Sequence, residues 1–464
     1  MRSGSLVVAC VLAAAGSVAV AQPNVTLSDI RSVSRYETST TSAITSYVIG
    51  SHTCNIATGT GNGLAWINNG SPGLAMNMYR IHDGRILQLG LSRVKLACCA
   101  GDQNNALCGT CGASGSELGP GCLDVYSSGW NAGQSRLGPR SGINPFARTF
   151  SGTGGTGDAN WGRIQVARTD VTAANFPGAV FIFEGVYVAQ DENLGNSLNN
   201  ASWKRTTIAS NLTASVGTEL AALGQPAIAA WAALGGPGGT ADASVTVANA
   251  TVSGEGTYWY AHKARNLGNG TWRYDYAVFN LNSHLSGGSF SVPVPAGVTV
   301  TNVGFYAPDY HSGEPYANTD WTNSRTANAV VWNSPQTFAQ NANSNALRWG
   351  TTYNFWFDAN VAPAQANPSA TLGMFRDPSR SVGFPVRAPG APACDGIDFN
   401  NDGSSFDPLD IESFLSVFSE GPCLPSGATC NDIDFNNDGA LFDPCDIDSF
   451  LTVYSEGPCL PCGQ

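Results

Sequence analysis

Residues 22–386 are dominated by short apolar runs and by alternations of period two, the pattern of strands rather than of amphipathic helices. Trp272, Tyr274, Tyr276 and Val278 alternate with Arg273, Asp275, Ala277 and Phe279, which predicts a strand with an aromatic face. Tyr258, Trp259 and Tyr260 belong to a strand before it. Short runs at residues 290–294, 298–303, 329–332 and 353–357 follow, with turn-rich stretches at 280–289 and 293–297. Strands this short and this closely spaced predict an antiparallel sandwich over residues 252–386. Residues 22–251 read as a β-rich N-terminal region. There 179–183 and 186–188 look like buried strands, and Ile164 and Val166 share one face of another. Residues 98–122 are Gly-rich and loop-like, and 226–234 suit a short helix. Residues 387–393, rich in Pro and Ala, read as a linker.

Beyond residue 394 the period changes. Ile411, Phe414, Leu415 and Phe418 fall at i, i+3, i+4 and i+7, and Ile447, Phe450, Leu451 and Tyr454 repeat the pattern. Two short helices with facing apolar stripes are predicted. The fold class is therefore mainly β, an antiparallel β-sandwich-rich body followed by a small α-helical module over residues 394–464, whose D-x-N-x-D-G loops at 398–403 and 434–439 make it EF-hand-like and suited to calcium.

A near-copy of one loop precedes each helix. Cys394-Asp-Gly-Ile-Asp-Phe-Asn-Asn-Asp-Gly recurs 36 residues later as Cys430-Asn-Asp-Ile-Asp-Phe-Asn-Asn-Asp-Gly, and 22 of 30 aligned positions are identical. This is a tandem repeat. Asp398, Asn400 and Asp402, like Asp434, Asn436 and Asp438, place three side-chain oxygens in a D-x-N-x-D-G turn. Gly403 and Gly439 permit the sharp bend of a calcium loop. In a regular loop the later ligands stand at the ninth and twelfth positions. Asp407 and Asp410, and Asp443 and Asp446, each fall one place late. One inserted residue after the Gly restores both, so these four are read as ligands, with a carbonyl near Ser404 or Ser405 in the seventh place. Asp410 and Asp446 also stand at the helix start, where a carboxylate caps free N–H groups.

Charge sharpens this picture. Residues 394–464 hold 14 acids and no Lys or Arg, leaving 20 acids against 22 bases elsewhere, so the net −12 resides in the tail. Such a local concentration of carboxylates suits a hard cation, Ca2+ above all. The absence of a basic stripe argues against nucleic acid as a partner.

Loop, helix and near-exact second copy together resemble a type I dockerin. The likeness is to the cysteine-containing form marked by Ser-Glu-Gly-Pro-Cys, found here at residues 419–423 and 455–459. The resemblance covers residues 394–464 alone. It implies calcium in both loops and attachment of the host protein to a cohesin-like or cell-envelope partner. The inserted residue and the cysteines depart from the common pattern, so calcium carries over and the partner's identity does not. Calcium that serves only to fold the tail stays open as an alternative. The thrombospondin type 3 repeat shares the acidic spacing, but the amphipathic helices count against it.

Arg2, the apolar stretch at residues 6–15 and Ala19-Val20-Ala21 read as a secretory signal peptide over residues 1–21, cut before Gln22. No later run has the length of a membrane span, so a secreted or cell-surface protein is expected. Low charge, at 12%, and 54 Gly fit a β-rich extracellular chain. Of 13 Cys, 12 remain without Cys10. Six lie early (Cys54, Cys98, Cys99, Cys108, Cys111, Cys122) and six late (Cys394, Cys423, Cys430, Cys445, Cys459, Cys462). An even count in an exported chain favours disulfides, paired within each cluster. A bridge from Cys394 to Cys423 would contribute about 3–4 kcal/mol through chain entropy.

The body offers fewer chemical leads. Cys108-Gly-Thr-Cys111, with Cys98 and Cys99, could form a zinc or redox site, but export favours structural disulfides. His52 beside Cys54, and His82 beside Asp83, could ligate a metal, yet the five histidines (with His262, His284 and His311) show no H-x-x-x-H spacing. Glu184, in an apolar run, is either a carboxylic acid of raised pKa or an outward strand residue. Asp191 with Glu192, and Asp309 with His311, are further candidates. No nucleophile elbow, P-loop, zincin helix or dinucleotide fingerprint is present. The body, with its phrase Gly138-Pro-Arg-Ser, also resembles a group of secreted bacterial proteins that carry the same tail, a likeness that brings no activity with it.

Two functions are expected from this. In the first, a non-catalytic binding or structural body is held by its calcium-binding tail, and the strand of Tyr258 and Tyr260 meets glycans or partner proteins. In the second, the body is an extracellular polysaccharide-active hydrolase on the same tether, which calls for two carboxylates in one deep cleft.

Overall fold

The computed structural model describes residues 22–59, 61–112, 117–268, 270–310, 313–390, 394–436, 441–457 and 459. The segment read as a signal peptide lies outside these, as do His311, Asp438, Gly439 and Cys462.

The chain is mainly β, 38% strand and 13% helix, with antiparallel sheets. The sheets stack in four layers. The first joins two small sheets. One contains Val25–Asp29, Ser51–Asn55, Cys122–Tyr126 and Gln103–Asn104; the other contains Ile164–Ala167, Ile44–Ile49 and Val33–Tyr36. The second layer is six-stranded, in the order Leu137–Gly138, Arg85–Leu96, Gly73–His82, Val180–Val188, Ala201–Ile208, Ala214–Val216. The third is five-stranded, in the order Thr246–Thr251, Thr257–Gly268, Thr271–Asn280, Thr352–Ala359, Val300–Tyr306. The fourth follows as Thr322–Thr326, Ala329–Asn333, Gly287–Pro293, Ser369–Met374, Ser381–Pro385. The third and fourth layers form the sandwich anticipated from the strand spacing.

Three apolar interfaces hold the layers together, and they explain which strands lost their polar alternation. Val180–Val188 is buried along its whole length. Phe181 and Phe183 enter the first interface, and Val180, Ile182, Val186 and Val188 the second. A strand covered on both faces reads as a continuous apolar run. Thr271–Asn280 is covered likewise. Tyr274, Tyr276 and Val278 face the sandwich core, whereas Ala277 and Phe279 meet the six-stranded sheet. Its polar positions on that second face are paired: Arg85 Nε donates to Asp275 Oδ1 at 2.8 Å, and Arg273 grips Asp358 with both ends of its fork. The short helix foreseen near residue 230 spans Ala230–Leu234 after a single tight turn, Ala227–Ala229.

Two expectations need correction. Tyr258 and Tyr260 are buried in the sandwich core, with Tyr260 stacked on Phe384 at 4.6 Å. They present no aromatic platform to a glycan, because the fourth layer covers the face that the strand pattern left open. Residues 387–390, read as linker, pack on the sandwich instead. Ala388 is buried, its carbonyl accepts from Ala364 N–H at 2.9 Å, and Gly390 N–H donates to Ala362 at 2.9 Å.

The tail has its own core of Ile397, Phe399, Phe414, Ile433, Phe435 and Phe450. Its helices span Pro408–Phe418 and Pro444–Tyr454. Phe399 stands edge-on to Phe414 at 5.2 Å, and Phe435 edge-on to Phe450 at 5.1 Å. Asp395 N–H donates to the Phe435 carbonyl at 2.8 Å, and Asn431 N–H to the Phe399 carbonyl at 2.9 Å. Every one of these contacts maps onto its mate by a shift of 36 residues, so the repeats are related by a pseudo-twofold axis.

The same axis decides the disulfides. Cys394 bonds Cys459, and Cys423 bonds Cys430. The anticipated Cys394–Cys423 closure is not formed, because the twofold lays the start of each repeat against the end of the other. Cys445 is also disulfide-bonded. In the early cluster Cys54 bonds Cys108 and Cys111 bonds Cys122. The C-x-x-C pair is thereby split between two bridges and is neither a zinc site nor a redox couple.

Candidate metal centre

In the first tail loop the acids fold the backbone around themselves. Asp398 accepts from the N–H groups of Asp402 at 3.0 Å and Gly403 at 2.9 Å, one on each oxygen. Asn400 Oδ1 accepts from Asp402 N–H at 3.2 Å, and Asp402 Oδ1 from Ser404 N–H at 2.9 Å. Gly403 adopts a φ of 91°, the left-handed turn its position calls for. Each carboxylate oxygen that accepts one N–H retains a lone pair.

Asp407 is the N-cap of the helix Pro408–Phe418, accepting from Leu409 N–H at 2.8 Å and Asp410 N–H at 3.2 Å. Asp410, fully buried, closes the capping box by accepting from Asp407 N–H at 3.1 Å, and its other oxygen accepts from Phe399 N–H at 2.8 Å. The cap is thus three residues earlier than the sequence pattern suggested, and Asp410 instead ties loop to helix. The signal for this was present in the Asp-Pro-x-Asp spacing. The second copy repeats it: Asp443 caps Pro444–Tyr454 and Asp446 completes the box. The residue before each cap, Phe406 and Phe442, takes a left-handed φ of 65° and 60°, so the extra length of each loop is absorbed at a strained, exposed phenylalanine.

The donor set fits a hard cation. All the side chains concerned offer oxygen. One further observation favours a ligand there. Asp446 is fully buried, yet its Oδ1 has no hydrogen-bond partner. Burial pushes its pKa to about 6, only partly offset by backbone N–H groups of Asp443 and Asn436. Burial raises Asp410 too. Asp434, Asn436 and Asp443 are engaged in interactions of their own, and Asp438 lies outside the described residues. The acids of the first loop do not bring three carboxylate oxygens within 4.8 Å of one another. Among the described residues the group that meets this spacing is Asp102 with Cys111 and Cys122, whose sulfurs are spent in one disulfide.

The candidates in the body serve the fold. Glu184 is fully buried between the second and third layers. It accepts from Asn77 Nδ2 at 2.7 Å, Tyr79 Oη at 2.9 Å and Ala227 N–H at 2.6 Å. Burial raises its pKa against these three donors. Beside it lies Arg140, which sequence reasoning noted only as part of a phrase. Its buried guanidinium donates to the carbonyls of Ser92 (2.6 Å), Gly350 (2.9 Å) and Met76 (3.0 Å) and to Asn77 Oδ1 (2.8 Å). Three of these partners sit in the six-stranded layer's strands and one precedes Thr352–Ala359, so Arg140 clamps two layers together.

Asp191 accepts from Ala65 N–H at 2.7 Å. Glu192, also buried, accepts from Val25 N–H at 2.9 Å and Asn200 Nδ2 at 2.5 Å. His262 is buried and accepts the Arg387 N–H on Nδ1 at 3.2 Å, and burial lowers its pKa to about 4. His82 packs edge-on against Phe176, and the partner of His52, Cys54, is consumed in a bridge. A cavity of about 590 Å³ lies beside His82, Asp83, Asp242 and Lys263. Asp242 is held by Lys263 at 2.6 Å, and Asp83 pairs with Arg265 at 3.8 Å. Among the described residues no helix is long and apolar enough to cross a membrane. No protein-family model matches the chain, and no curated protein matches it.

Proposed function

We propose that this is an exported protein whose tail is a calcium-loaded docking module of the dockerin type. The tail attaches a non-catalytic binding or structural body to a cohesin-like or cell-envelope partner. The observation that carries the reading is the repeated D-x-N-x-D-G sequence, each copy followed by a fully buried aspartate in the first turn of its helix, with Asp446 Oδ1 left unbonded in the second. Calcium would be held by Asp398, Asn400, Asp402, Asp407 and Asp410 in one loop, and by Asp434, Asn436, Asp438, Asp443 and Asp446 in the other. Bound there, it neutralises carboxylates that otherwise repel one another across a tail with no basic residue. The non-catalytic reading of the body is supported by Glu184 and Glu192, whose carboxylate oxygens are all taken up by structural donors.

Calorimetric titration of calcium into the full chain tests the metal: two sites are expected, and Asp410→Asn with Asp446→Asn should remove them. Absence of uptake by the unaltered chain would overturn the reading. Docking is tested by immobilising the full chain over secreted and envelope proteins. One partner should be retained in calcium, released by chelator and missed by the double variant. Calcium uptake without such a partner would leave a metal-stabilised tail and remove the docking role.

A further inference from the structure

Two thiols in the body stand apart from everything assigned above. Cys98 and Cys99 follow the long strand Arg85–Leu96, Cys98 half-buried and Cys99 exposed. Among the described residues they are the cysteines not engaged in a disulfide. Cys54, Cys108, Cys111, Cys122, Cys394, Cys423, Cys430, Cys445 and Cys459 are all bonded. The two Sγ atoms lie 2.8 Å apart, well inside the roughly 3.5–4.0 Å at which non-bonded heavy atoms rest.

The backbone here is gripped from one side. The Tyr126 hydroxyl accepts from Cys99 N–H at 3.3 Å and donates to the Cys99 carbonyl. It also accepts from Trp66 Nε1–H at 3.1 Å, and its ring stacks on Trp130 at 6.0 Å. The Lys95 ammonium lies 3.6 Å from the centre of the same ring. The orientation of the Cys99 peptide is therefore coupled to two indoles.

We propose that Cys98 and Cys99 form a redox-labile dithiol that closes into a disulfide between neighbouring residues and reopens under mild reduction. The oxidant is a second disulfide, RS–SR. The Cys99 sulfur, the exposed one, loses its proton and attacks one sulfur of RS–SR. A Cys99–S–SR bond forms and RS⁻ leaves. The Cys98 sulfur then loses its proton and attacks Cys99 Sγ, forming the Cys98–Cys99 bond and expelling the second RS⁻. The pair gives up two protons and two electrons, and the oxidant departs as two thiols. Ordinary disulfides join Cα atoms about 4.4–6.8 Å apart, whereas adjacent Cα atoms are held about 3.8 Å apart across a trans peptide. The ring is strained by that mismatch, and strained, exposed disulfides are the easily reduced ones. The Cys54–Cys108 bridge has the ordinary reach, with Cα atoms 5.3 Å apart, and Cys111–Cys122, at 4.2 Å, falls just short of it but still exceeds the spacing of adjacent residues.

The test uses the full chain purified without reductant, treated with oxidised glutathione, alkylated with iodoacetamide and mapped by peptide mass. The peptide holding residues 98 and 99 should be unalkylated and lighter by two hydrogen atoms. Graded dithiothreitol should return both thiols before either neighbouring bridge opens, with a matching change in Trp fluorescence through Tyr126. Cys98→Ser should trap glutathione on Cys99 as a mixed disulfide. Cys99→Ser, which leaves the less exposed sulfur, should trap it at least tenfold more slowly. Full alkylation of both thiols after glutathione, a link to a second chain, retention of a metal by the intact pair, or reduction only together with the neighbouring bridges would each overturn the proposal.

Discussion

Phe414 and Phe450 stack face to face with centroids 4.2 Å apart and planes 9° from parallel, each being the other's mate across the pseudo-twofold axis of the tail. The stack is the centre of a very small core. Phe414→Ala or Phe450→Ala should cost the tail about 3–5 kcal/mol, the usual range for a buried phenylalanine. The two costs should be nearly equal, and the double variant should lose less than their sum because one contact is counted twice. Thermal unfolding of the tail at fixed calcium measures all three.

The crossed bridges differ in the length of chain they close. Cys394–Cys459 spans 65 residues and Cys423–Cys430 spans 7. Chain entropy then gives about 4 kcal/mol for the first and about 2 kcal/mol for the second. Cys394→Ser with Cys459→Ser should therefore lower the tail's melting temperature more than Cys423→Ser with Cys430→Ser. Scanning calorimetry of the two double variants checks the order.

Calcium should act on the tail alone. Free ion at a hundredfold excess over its dissociation constant adds about 2.7 kcal/mol to whatever binds it. Calorimetry of the full chain should show two transitions. Chelator should move the tail's transition down and leave the body's in place. A single transition that ignores chelator would contradict this.

Arg140 tests the joint between layers. Its guanidinium meets three carbonyls and an amide oxygen in a buried site. Arg140→Ala strands those acceptors, and breaking a buried charge network of this kind costs about 3–5 kcal/mol. Arg140→Lys should recover little, since an ammonium cannot span four acceptors placed for a planar fork. Urea midpoints of the body report both.

Glu192 should give the body a measurable pH dependence. Burial, against its bonds to Asn200 and Val25, lifts its pKa to about 8 from an ordinary value of 4.5. The folded carboxyl thus keeps its proton over a range where the unfolded chain has lost it. Its contribution is fully present below pH 4.5 and is lost as pH rises through about 8, with a slope of at most about 1.4 kcal/mol per pH unit. His262, lowered to about 4, acts in the opposite sense below its ordinary 6.5, so the comparison must be with Glu192→Gln at each pH. The gap between wild type and variant should shift against wild type between about pH 5 and pH 8; a constant gap would refute the buried acid.

Local structure was legible wherever one residue's neighbours in sequence are its neighbours in space. The helix stripes through Phe414 and Phe450, the strand alternation at Trp272 to Val278, and the short helix near Ala230 were read from spacing alone. What escaped was set by which face meets which. Tyr258 and Tyr260 show an alternation that says one face is apolar, but not that a further sheet covers it. Glu184 looked anomalous in an apolar run, and only the approach of Asn77, Tyr79 and Ala227 reveals that its charge is answered. The acids of the tail loops stand out in the sequence by their spacing alone. The capping role of Asp407 was missed, although Asp-Pro-x-Asp carried it, because the cap was placed at Asp410, three residues late.

The crossed bridges have a consequence for how the tail assembles. Each repeat holds one cysteine at its start and one at its end, and neither finds its mate at home. A single repeat standing alone would leave both unsatisfied, along with half of a phenylalanine stack. Two copies of such a unit on separate chains would meet all these needs at once, as a symmetric dimer sealed by the same two bonds. The tandem tail places both halves of that arrangement on one chain, so neither half has to find its mate by diffusion.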